Sequence, residues 1–245
     1  MATTGVRRVA LVTGAGRRVG QAIALVLGAR GMHVVVHYNS SASGAEETVA
    51  RITGAGGHAS VMHADLASVS AAERLVDAVL AAHGGLAVLV NSAAVMLRTP
   101  VGDTSTAQWD NMHAVNVRAP YFLAQRAAPS LRRAHGCIVN IADLAAFETW
   151  PAYVPHAMTK AAMVQMTRGL AHALAPDIRV NAVAPGVVLL PEGWTEGDAE
   201  GLRSTTPLQR IGTPEDVAQA VLYLVDAEFV TGEVVRVDGG RHVRT

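Results

Sequence analysis

Three side chains in the second half of the sequence have the chemistry of an acid–base relay. Asp143, His156 and Lys160 supply a carboxylate, an imidazole and an amine. An unperturbed imidazole titrates at about 6.5, nearer to working pH than a phenol at about 10. Lys160 would disfavour the charged imidazole and Asp143 would favour it. The three groups therefore predict delivery of a proton to a substrate heteroatom.

Other interpretations of the same residues stay open. His156 would be a neutral side chain in a pocket that binds ligand without reacting, or Tyr153 would turn in and donate the proton instead. Pro155 predicts a non-helical backbone before His156, which counts against Tyr153. Asp143 would alternatively do no more than cap a turn. The other nine histidines have no spacing typical of a metal site, so no metal is predicted.

A glycine-rich segment near the start of the chain predicts a phosphate-binding turn. In "ALVTGAGRRVGQAIA", Gly14, Gly16 and Gly20 lie between an apolar run and a helical pattern. Glycines at such a turn let backbone N–H groups and the helix N-terminus approach a pyrophosphate. Arg17 and Arg18 lie within it, with Arg18 in the place of the middle glycine. The pair is either a solvated turn or a site for an extra phosphate.

The end of the second apolar run indicates which dinucleotide would bind. An acidic side chain usually holds a free 2′-hydroxyl about 20 residues after the glycines. Here "HYNSSASGAEE" has no carboxylate before Glu46. The amide of Asn39 and the hydroxyl of Ser40, with the arginine pair nearby, suit a 2′-phosphate. The sequence therefore predicts NADP(H) rather than NAD(H) as the cofactor.

The elements that would position these residues alternate along the chain. Seven apolar runs, from "RVALVTG" to "EVVRVDGG", are rich in Val, Ile and Leu, as strands covered on both faces should be. Helical patterns separate them. We therefore predict a single α/β domain of the Rossmann type over 1–245, with a doubly wound parallel seven-stranded sheet and helices on both faces. The long connection at 186–209 predicts a substrate lid around 187–205.

The composition argues against several classes of partner. The 245 residues contain 20 Lys and Arg against 20 Asp and Glu, so no basic field favours nucleic acid or a membrane surface. The first apolar run, "VALV", is too short for a signal peptide or a membrane span. We therefore expect a cytoplasmic protein that acts on a small molecule.

Together these motifs resemble the short-chain dehydrogenase/reductase family along essentially the whole chain. The match rests on "TGAGRRVG", "ADL" at Asp65, "NSAA" at Asn91, "HAVNVRAP" at Asn116 and "IRVNAVAPG". Within the family, the chain most resembles the pteridine and dihydromonapterin reductases. That narrower match rests on Arg18, "RAPYFL", Asp143 in the place of a serine, and "DGGRHVR".

The resemblance implies roles for individual positions. Asp65 would hold the adenine region, Asn91 would lie over the cofactor ribose, and Lys160 would bind the nicotinamide ribose. Asn116 would kink its helix and hold a water that relays protons. The implied cofactor-binding residues are Gly14, Gly16, Arg17, Arg18, Val19, Tyr38, Asn39, Ser40, Asp65, Leu66, Asn91, Ser92, Ala93, Lys160, Pro185, Gly186 and Val188.

The chain departs from the family pattern where the chemistry would occur. The family usually has a tyrosine four residues before the lysine, and this chain has His156. Ser92 replaces the second asparagine of the usual turn. Pterin reductases stack an aromatic ring on the substrate where this chain offers Met96, whose thioether can also cover a ring. The other candidate substrate contacts are Trp150, Tyr153 and Trp194.

We therefore expect an NADPH-dependent reductase of a pterin-like or other cyclic C=N or C=O compound. The alternative enzyme is a ketone reductase or alcohol dehydrogenase of the same family. The alternative outside catalysis is an NADP-binding regulatory protein without turnover. The resemblance also implies a homotetramer, because apolar helices around 109–134 and 157–174 commonly pair across a two-fold axis in this family.

Overall fold

The sheet is parallel throughout and grows outward in two directions from its centre. The structure, a computed structural model, describes residues 8–189 and 195–243. Its strands are β1 Val9–Val12, β2 His33–Tyr38, β3 His58–His63, β4 Val88–Asn91, β5 Cys137–Ile141, β6 Arg179–Pro185 and β7 Val234–Val237. Within the described residues the strand order is β3-β2-β1-β4-β5-β6-β7. The predicted doubly wound, seven-stranded parallel sheet is confirmed.

Helices cover both faces of this sheet. They are α1 Arg18–Ala29, α2 Ala42–Gly54, α3 Val69–His83, α4 Thr106–His113, α5 Ala119–Arg133, α6 Val154–Leu174, α7 Glu196–Ser204 and α8 Pro214–Asp226. Ala10 and Val12 of β1 pack in a buried cluster with residues of α1 and α8, whereas Leu11 packs with residues of α3 and α5. Alternate residues of the strand thus pack into the two hydrophobic cores, one on each face of the sheet. None of the described helices is long and apolar enough to cross a bilayer.

The long helix expected around 109–134 is interrupted by a π-helical turn. This turn covers Ala114–Arg118, between α4 and α5. Pro120 explains the interruption, because it has no N–H to donate to the carbonyl of Asn116 four residues earlier. The N–H of Ala119 instead donates to Ala114 O, which is the wider spacing of a π turn. The kink implied at Asn116 therefore has a physical cause in this chain.

Helix α6 carries two of the candidate catalytic residues. It begins at Val154, so the prediction of a non-helical backbone directly before His156 is wrong. Proline is accepted in the first turn of a helix, where its missing N–H would have no partner, and Pro155 lies there. His156, Lys160 and Val164 follow at four-residue spacing and are all buried. Both candidate side chains therefore face the interior.

The segment predicted as a lid contains a short helix in its described part. Helix α7 begins with a capping box, in which Thr195 Oγ1 accepts a hydrogen bond from the N–H of Asp198. The carboxylate of Asp198 in turn accepts from the N–H of Thr195 at 2.8 Å. Residues 190–194, including the candidate substrate contact Trp194, lie outside the described residues.

Candidate active site

The candidate residues collect at one edge of the sheet. Parallel strands have all their carboxyl ends at the same edge, and ligands of doubly wound sheets bind outside it where the strand order reverses. Here that point lies between β1 and β4. The predicted residues found at this edge are Gly14 after β1, Asn39 after β2, Asp65 after β3, Asn91 at the end of β4, Asp143 after β5 and Pro185 at the end of β6.

The turn after β1 approaches the loop after β4 too closely to accept a side chain. Gly14 has a φ of 65°, which favours glycine. A Cβ at this position would lie 2.8 Å from the Cα of Ala93. Thr13 fastens the two loops together, since its Oγ1 accepts from the N–H of Ser92 at 3.0 Å and of Ala93 at 3.1 Å. The predicted cofactor residues Gly14, Ser92 and Ala93 are thus neighbours.

A buried histidine at the end of β2 supports the same turn. The N–H of Gly14 donates to Nδ1 of His37 at 3.1 Å, and Nε2 of this ring lies 3.0 Å from Ala64 O. Burial lowers the pKa of His37 to about 4, against a smaller opposing effect of the hydrogen bond with Ala64. The ring is therefore neutral at pH 7, and the two partners fix Nε2 as the protonated nitrogen.

Two exposed arginines follow the turn. Arg18 has a φ of 54°, a left-handed conformation that is uncommon for a residue other than glycine. Within the described residues, neither Arg17 nor Arg18 directs its guanidinium at an acceptor. A Cβ on Gly16 would lie 2.9 Å from Ser41 O, so the start of α2 is drawn against this turn. The exposed Asn39 and Ser40 precede that helix.

The residues around the end of β3 are divided between core and surface. Asp65 is exposed, and its Oδ1 accepts from the N–H of Ala67 at 3.0 Å. Leu66 is buried beneath it. Tyr38 is half-buried and its ring lies 5.2 Å from that of His63. Val19 of α1 packs against the core cluster that includes α8 and is likewise half-buried.

At the end of β6 the backbone runs against the segment after β7. A Cβ on Gly186 would lie 2.8 Å from the Cβ of Asp238. The N–H of Gly186 donates to Val237 O at 2.9 Å. Pro185 is buried, and Val188 packs into the core with 8% of its surface exposed. The backbone at 185–186, rather than the side chain of Val188, is therefore presented to the edge of the sheet.

The imidazole of His156 lies between two acceptors. Its Nε2 is 3.6 Å from Oδ2 of Asp143, and its Nδ1 is 3.4 Å from Val95 O. The first distance is too long for a hydrogen bond, and Nε2 has no hydrogen-bond partner within the described residues. The side chain is only 2% exposed. Nδ1 is within reach of Val95 O, so Nε2 is the ring nitrogen left for a ligand.

Asp143 combines two of the roles that its type allows. Its Oδ1 accepts from the N–H of Ala145 at 2.8 Å and caps the short 3-10 turn Leu144–Ala146. Its Oδ2 is the oxygen that faces His156. The carboxylate is therefore oriented by the turn that it caps, with one oxygen left for the imidazole.

Lys160 is buried with its amine against the end of β5. Its Nζ donates to Ile141 O at 2.8 Å, and the residue is 3% exposed. Burial lowers the pKa of Lys160 to about 8, while the charge of Asp143 acts in the opposite direction. Because Asp143 is near both groups, the structure brings the three predicted relay residues together.

A buried amide network links β4, β5 and α6. Nδ2 of Asn91 donates to Oδ1 of Asn140 at 2.8 Å, and Nδ2 of Asn140 donates to Oγ1 of Thr167 at 2.9 Å. Oδ1 of Asn91 has no hydrogen-bond partner among the described residues. Asn91, predicted to face the cofactor ribose, therefore has one buried polar atom available for a ligand.

Asn116 holds the strand-to-helix loop that also contacts His156. Its Nδ2 donates to Val95 O at 2.8 Å and to Thr159 Oγ1 at 3.0 Å, while its Oδ1 accepts from the N–H of Val95 at 2.8 Å. Thr159 Oγ1 donates to His156 O at 2.7 Å. The side chain of Asn116 thus fixes the carbonyl that Nδ1 of His156 faces.

Three of the four candidate substrate contacts lie within the described residues. Met96 is 46% exposed and follows Val95 in the loop after β4. Trp150 and Tyr153 form an edge-to-face pair with ring centroids 6.3 Å apart. Trp150 Nε1 also donates to Glu148 at 2.9 Å. Tyr153 precedes the first residue of α6, so it is not part of the helix that carries His156.

Thr13, His37 and Asn140 belong to the site but were not predicted. Each is a buried polar residue within or directly after a strand, and all three contact predicted residues. A polar residue interrupting an apolar strand is the signal that could have found them. Across the described residues, no group of three or more His, Cys, Asp or Glu is arranged to hold a metal ion.

Comparisons with known proteins place the chain in a class. A family profile described as "Enoyl-(Acyl carrier protein) reductase" matches residues 14–242. The solved structure of a Serratia marcescens short-chain dehydrogenase/reductase, a double mutant, is similar with a TM-score of 0.91 and 32% identity, covering 97% of this chain and 99% of that one. The chain belongs to the short-chain dehydrogenase/reductase family, whose members are oxidoreductases with a nicotinamide cofactor.

Two relatives of similar length extend the comparison. A Streptomyces violaceoruber protein, described as a putative ketoacyl reductase of the granaticin polyketide synthase, is 38% identical over 96% of each chain. The 3beta-hydroxysteroid dehydrogenase 1 of Eggerthella lenta is 34% identical over 94% of this chain and 92% of that one. The expected family and the expected oxidoreductase class are confirmed.

Proposed function

We propose that the protein is an NADPH-dependent reductase of a cyclic C=O or C=N compound, with His156 as the proton donor. The observation that carries this proposal is the buried Nε2 of His156, which has no hydrogen-bond partner within the described residues and lies beside the carboxylate of Asp143. A buried polar atom without a partner is costly, so one beside a charge at a ligand-binding edge is a candidate functional group.

The cofactor end of the site supports NADP(H) over NAD(H). Gly14 and Gly16 leave room where a Cβ would collide with backbone, which fits a dinucleotide phosphate approaching the turn. Arg17 and Arg18 are exposed, as are Asn39 and Ser40, and the adjoining residues Gly16 and Ser41 lie close together. The first turn of α2 has no acidic residue that would repel a phosphate. Two cations next to hydroxyl and amide groups suit a 2′-phosphate better than a free 2′-hydroxyl.

The residues around α6 suit transfer of a proton. When bound, NADPH would supply a hydride to the carbonyl or imine carbon. The N–H of His156 Nε2 would donate its proton to the heteroatom, so that the double bond becomes a C–H and an O–H or N–H. Asp143 would favour the charged imidazole, and Lys160 would add positive charge beside the heteroatom as negative charge develops there. Asn116 would hold the loop that orients the ring.

The substrate class divides into two candidates. Trp150 and Tyr153 offer aromatic surface and Met96 an exposed thioether, which together suit a planar ring system such as a pterin. The names of the two relatives favour a ketone of a polyketide or steroid type instead. We propose that the segment around 187–205 covers the substrate as a lid and decides between them.

We also propose a homotetramer. Trp109 and Tyr121, on α4 and α5, and Met158, on α6, are exposed apolar side chains. Exposed apolar helix faces of this kind suit isologous contacts between copies. Met163 is fully buried within the chain and does not contribute to such a face. Light scattering should give four times the 25.5 kDa chain mass, and a monomer at micromolar concentration would contradict the proposal.

Turnover of NADPH with a defined substrate panel tests the proposed function. The panel contains a dihydropterin, a fused-ring ketone, a quinone and a simple ketone, and oxidation is followed by NADPH absorbance. Reaction with a ring compound, lost in His156→Phe, is the expected result. Binding of NADPH without reaction of any compound would indicate the regulatory protein. Failure to bind either NADPH or NADH would refute the proposal altogether.

A further inference from the structure

We propose that His37 is a positioning residue that orients the Gly14 turn to receive the dinucleotide pyrophosphate. The inference rests on the proposed function and adds to it a residue outside the predicted cofactor-binding set. It concerns the side chain of His37, which does not reach the surface and so would act through the turn rather than by touching the cofactor. Only 1% of the residue is exposed.

The ring joins two loops that both belong to the candidate cofactor site. Its Nδ1 accepts from the N–H of Gly14 at 3.1 Å, and its Nε2 lies 3.0 Å from Ala64 O, one residue before Asp65. The main chain adds a further bond, since His37 O accepts from the N–H of Ala15 at 2.9 Å. One residue of β2 therefore binds two successive amides of the turn after β1 and also the end of β3.

The chemistry of imidazole makes this connection directional. A neutral ring has one donor and one acceptor, and here the acceptor faces an N–H and the donor faces a carbonyl. The other tautomer would place an N–H against the N–H of Gly14, and a flipped ring would place a C–H there. Gly14 has a φ of 65°, and its peptide orientation determines where the following amides of the turn point. We infer that holding that peptide fixes the orientation of the amides after Ala15, which a phosphate site requires.

Replacing His37 by asparagine or by glutamine tests the two hydrogen bonds of its side chain separately. The side-chain oxygen introduced by His37→Asn would lie near the position of Nδ1, so this variant can keep the bond to Gly14 and lose the one to Ala64. His37→Gln reaches the position of Nε2 and has the opposite pattern. Both variants remove the ring and each loses one bond, so they form a pair that differs in the bond kept and by one methylene group.

The experiment measures the dissociation constant of NADPH and the steady-state constants of both variants. We expect His37→Asn to bind NADPH within about twofold of the wild type. We expect His37→Gln to bind about fivefold more weakly, the equivalent of about 1 kcal/mol for one hydrogen bond. The loss should appear in KM for NADPH, with kcat at saturating NADPH unchanged. His58→Gln, at an exposed histidine of β3, is the control and should match the wild type.

The outcomes distinguish the inference from the function on which it rests. Equal NADPH affinities of the asparagine and glutamine variants would overturn the positioning role, even if both melt at lower temperature than the wild type. A lower kcat with unchanged KM would also overturn it. If the wild type itself binds no dinucleotide, the proposed function fails instead. Variants that bind as predicted but melt equally would support positioning over simple stabilisation.

Discussion

Two regions lie at the sheet edge formed by the carboxyl ends of the strands, and they differ in whether their buried polar atoms have hydrogen-bond partners. At the glycine turn, the N–H of Gly14, the hydroxyl of Thr13 and both nitrogens of His37 have partners. Around β4 and α6, Oδ1 of Asn91 and Nε2 of His156 have none among the described residues. Leaving such an atom unpaired costs about 1–3 kcal/mol. The chain alone organises the first region, and we infer that a ligand completes the second.

The largest expected effect removes the imidazole from the second region. His156→Phe should lower kcat at least about 100-fold, because proton transfer by a positioned group contributes that much, while the Kd for NADPH stays unchanged. His156→Tyr should recover part of the rate, with the alkaline limb of its pH–rate profile at higher pH, because a phenol holds its proton longer. Steady-state kinetics and NADPH titration check both.

Tyr153→Phe is the matched control for that prediction. It removes one hydroxyl from the ring that packs edge-on against Trp150. We expect it to leave the pH–rate profile in place. If Tyr153→Phe instead abolished the reaction while His156→Phe retained it, the proton would come from Tyr153 and the proposed relay would be wrong.

The next prediction concerns the stability of the protein when the buried Lys160 is replaced. Burial holds the pKa of Lys160 at about 8 in the fold against its ordinary value of 10.5, so the charged form is disfavoured by about 3 kcal/mol. Lys160→Met removes that cost but leaves Ile141 O unpaired, at about 1–3 kcal/mol. We expect the free energy of unfolding at pH 7 to be unchanged or up to about 2 kcal/mol higher.

The stability difference between the wild type and Lys160→Met should change with pH in a defined direction. Below pH 8 the wild type bears the full cost of the buried charge, because Lys160 is protonated in both the folded and the unfolded state. Between pH 8 and 10.5 the folded lysine loses its proton first, so the wild type gains stability relative to Lys160→Met. Urea unfolding of both proteins across this range is the measurement. A stability difference that is constant with pH would show that burial does not lower the pKa of Lys160.

A smaller effect is expected at the glycine turn, where Arg18 has a left-handed backbone conformation. The wild type should bind NADPH at least about tenfold more tightly than NADH, about 1.4 kcal/mol. Arg18→Gly should remove most of that preference, because one cation for the 2′-phosphate is lost, and should leave NADH binding unchanged. It should also unfold at a higher temperature, since glycine accepts the φ of 54° without strain.

Arg30→Gln is the control for the arginine at the turn. Arg30 lies at the other end of α1 and pairs with Asp226 at 3.1 Å. Its replacement changes the net charge as Arg18→Gly does but is far from the turn. Equal affinities of the wild type for NADPH and NADH would contradict the cofactor prediction, and an equal effect of both variants would show that only net charge matters.

The smallest expected effect concerns the carboxylate that orients His156. Asp143→Asn should keep the cap on the 3-10 turn, because an amide oxygen can still accept from the N–H of Ala145. The negative charge beside the imidazole is lost. The alkaline limb of the pH–rate profile should therefore move to lower pH. A limb that stays in place would show that Asp143 serves the turn alone.

The same comparison explains how much could be predicted from the sequence. The sheet and the glycine turn are local in sequence, since apolar runs and glycines at a strand end carry their own signal. The approach of His156 to Asp143 was predicted, but its contact with Val95 O joins separate elements and no spacing reveals it. The start of α6 at Val154 was missed because proline can open a helix as well as prevent one.

The buried polar residues were missed for a related reason. His37 reads as one more residue of a strand, and its role depends on Gly14 and Ala64, which follow the neighbouring strands. The interruption of the helix at 114–118 was expected only as a kink at Asn116 implied by the resemblance, although Pro120 signals it once the missing donor is considered. Side-chain partners across strands are set by the tertiary fold, which a single sequence does not display.

The π turn at Ala114–Arg118 has a consequence for changes in chain length. It contains one residue more than an α-helical turn needs, so it acts as a one-residue insertion held inside a helix. Straightening the turn to α-helical geometry with every residue kept would rotate everything downstream by about 100°. The buried stripe of Leu123, Ala127 and Leu131 would turn away from the sheet. The π turn therefore keeps this stripe facing the sheet, and deleting one residue here would shorten the turn to α-helical spacing without rotating the helix that follows.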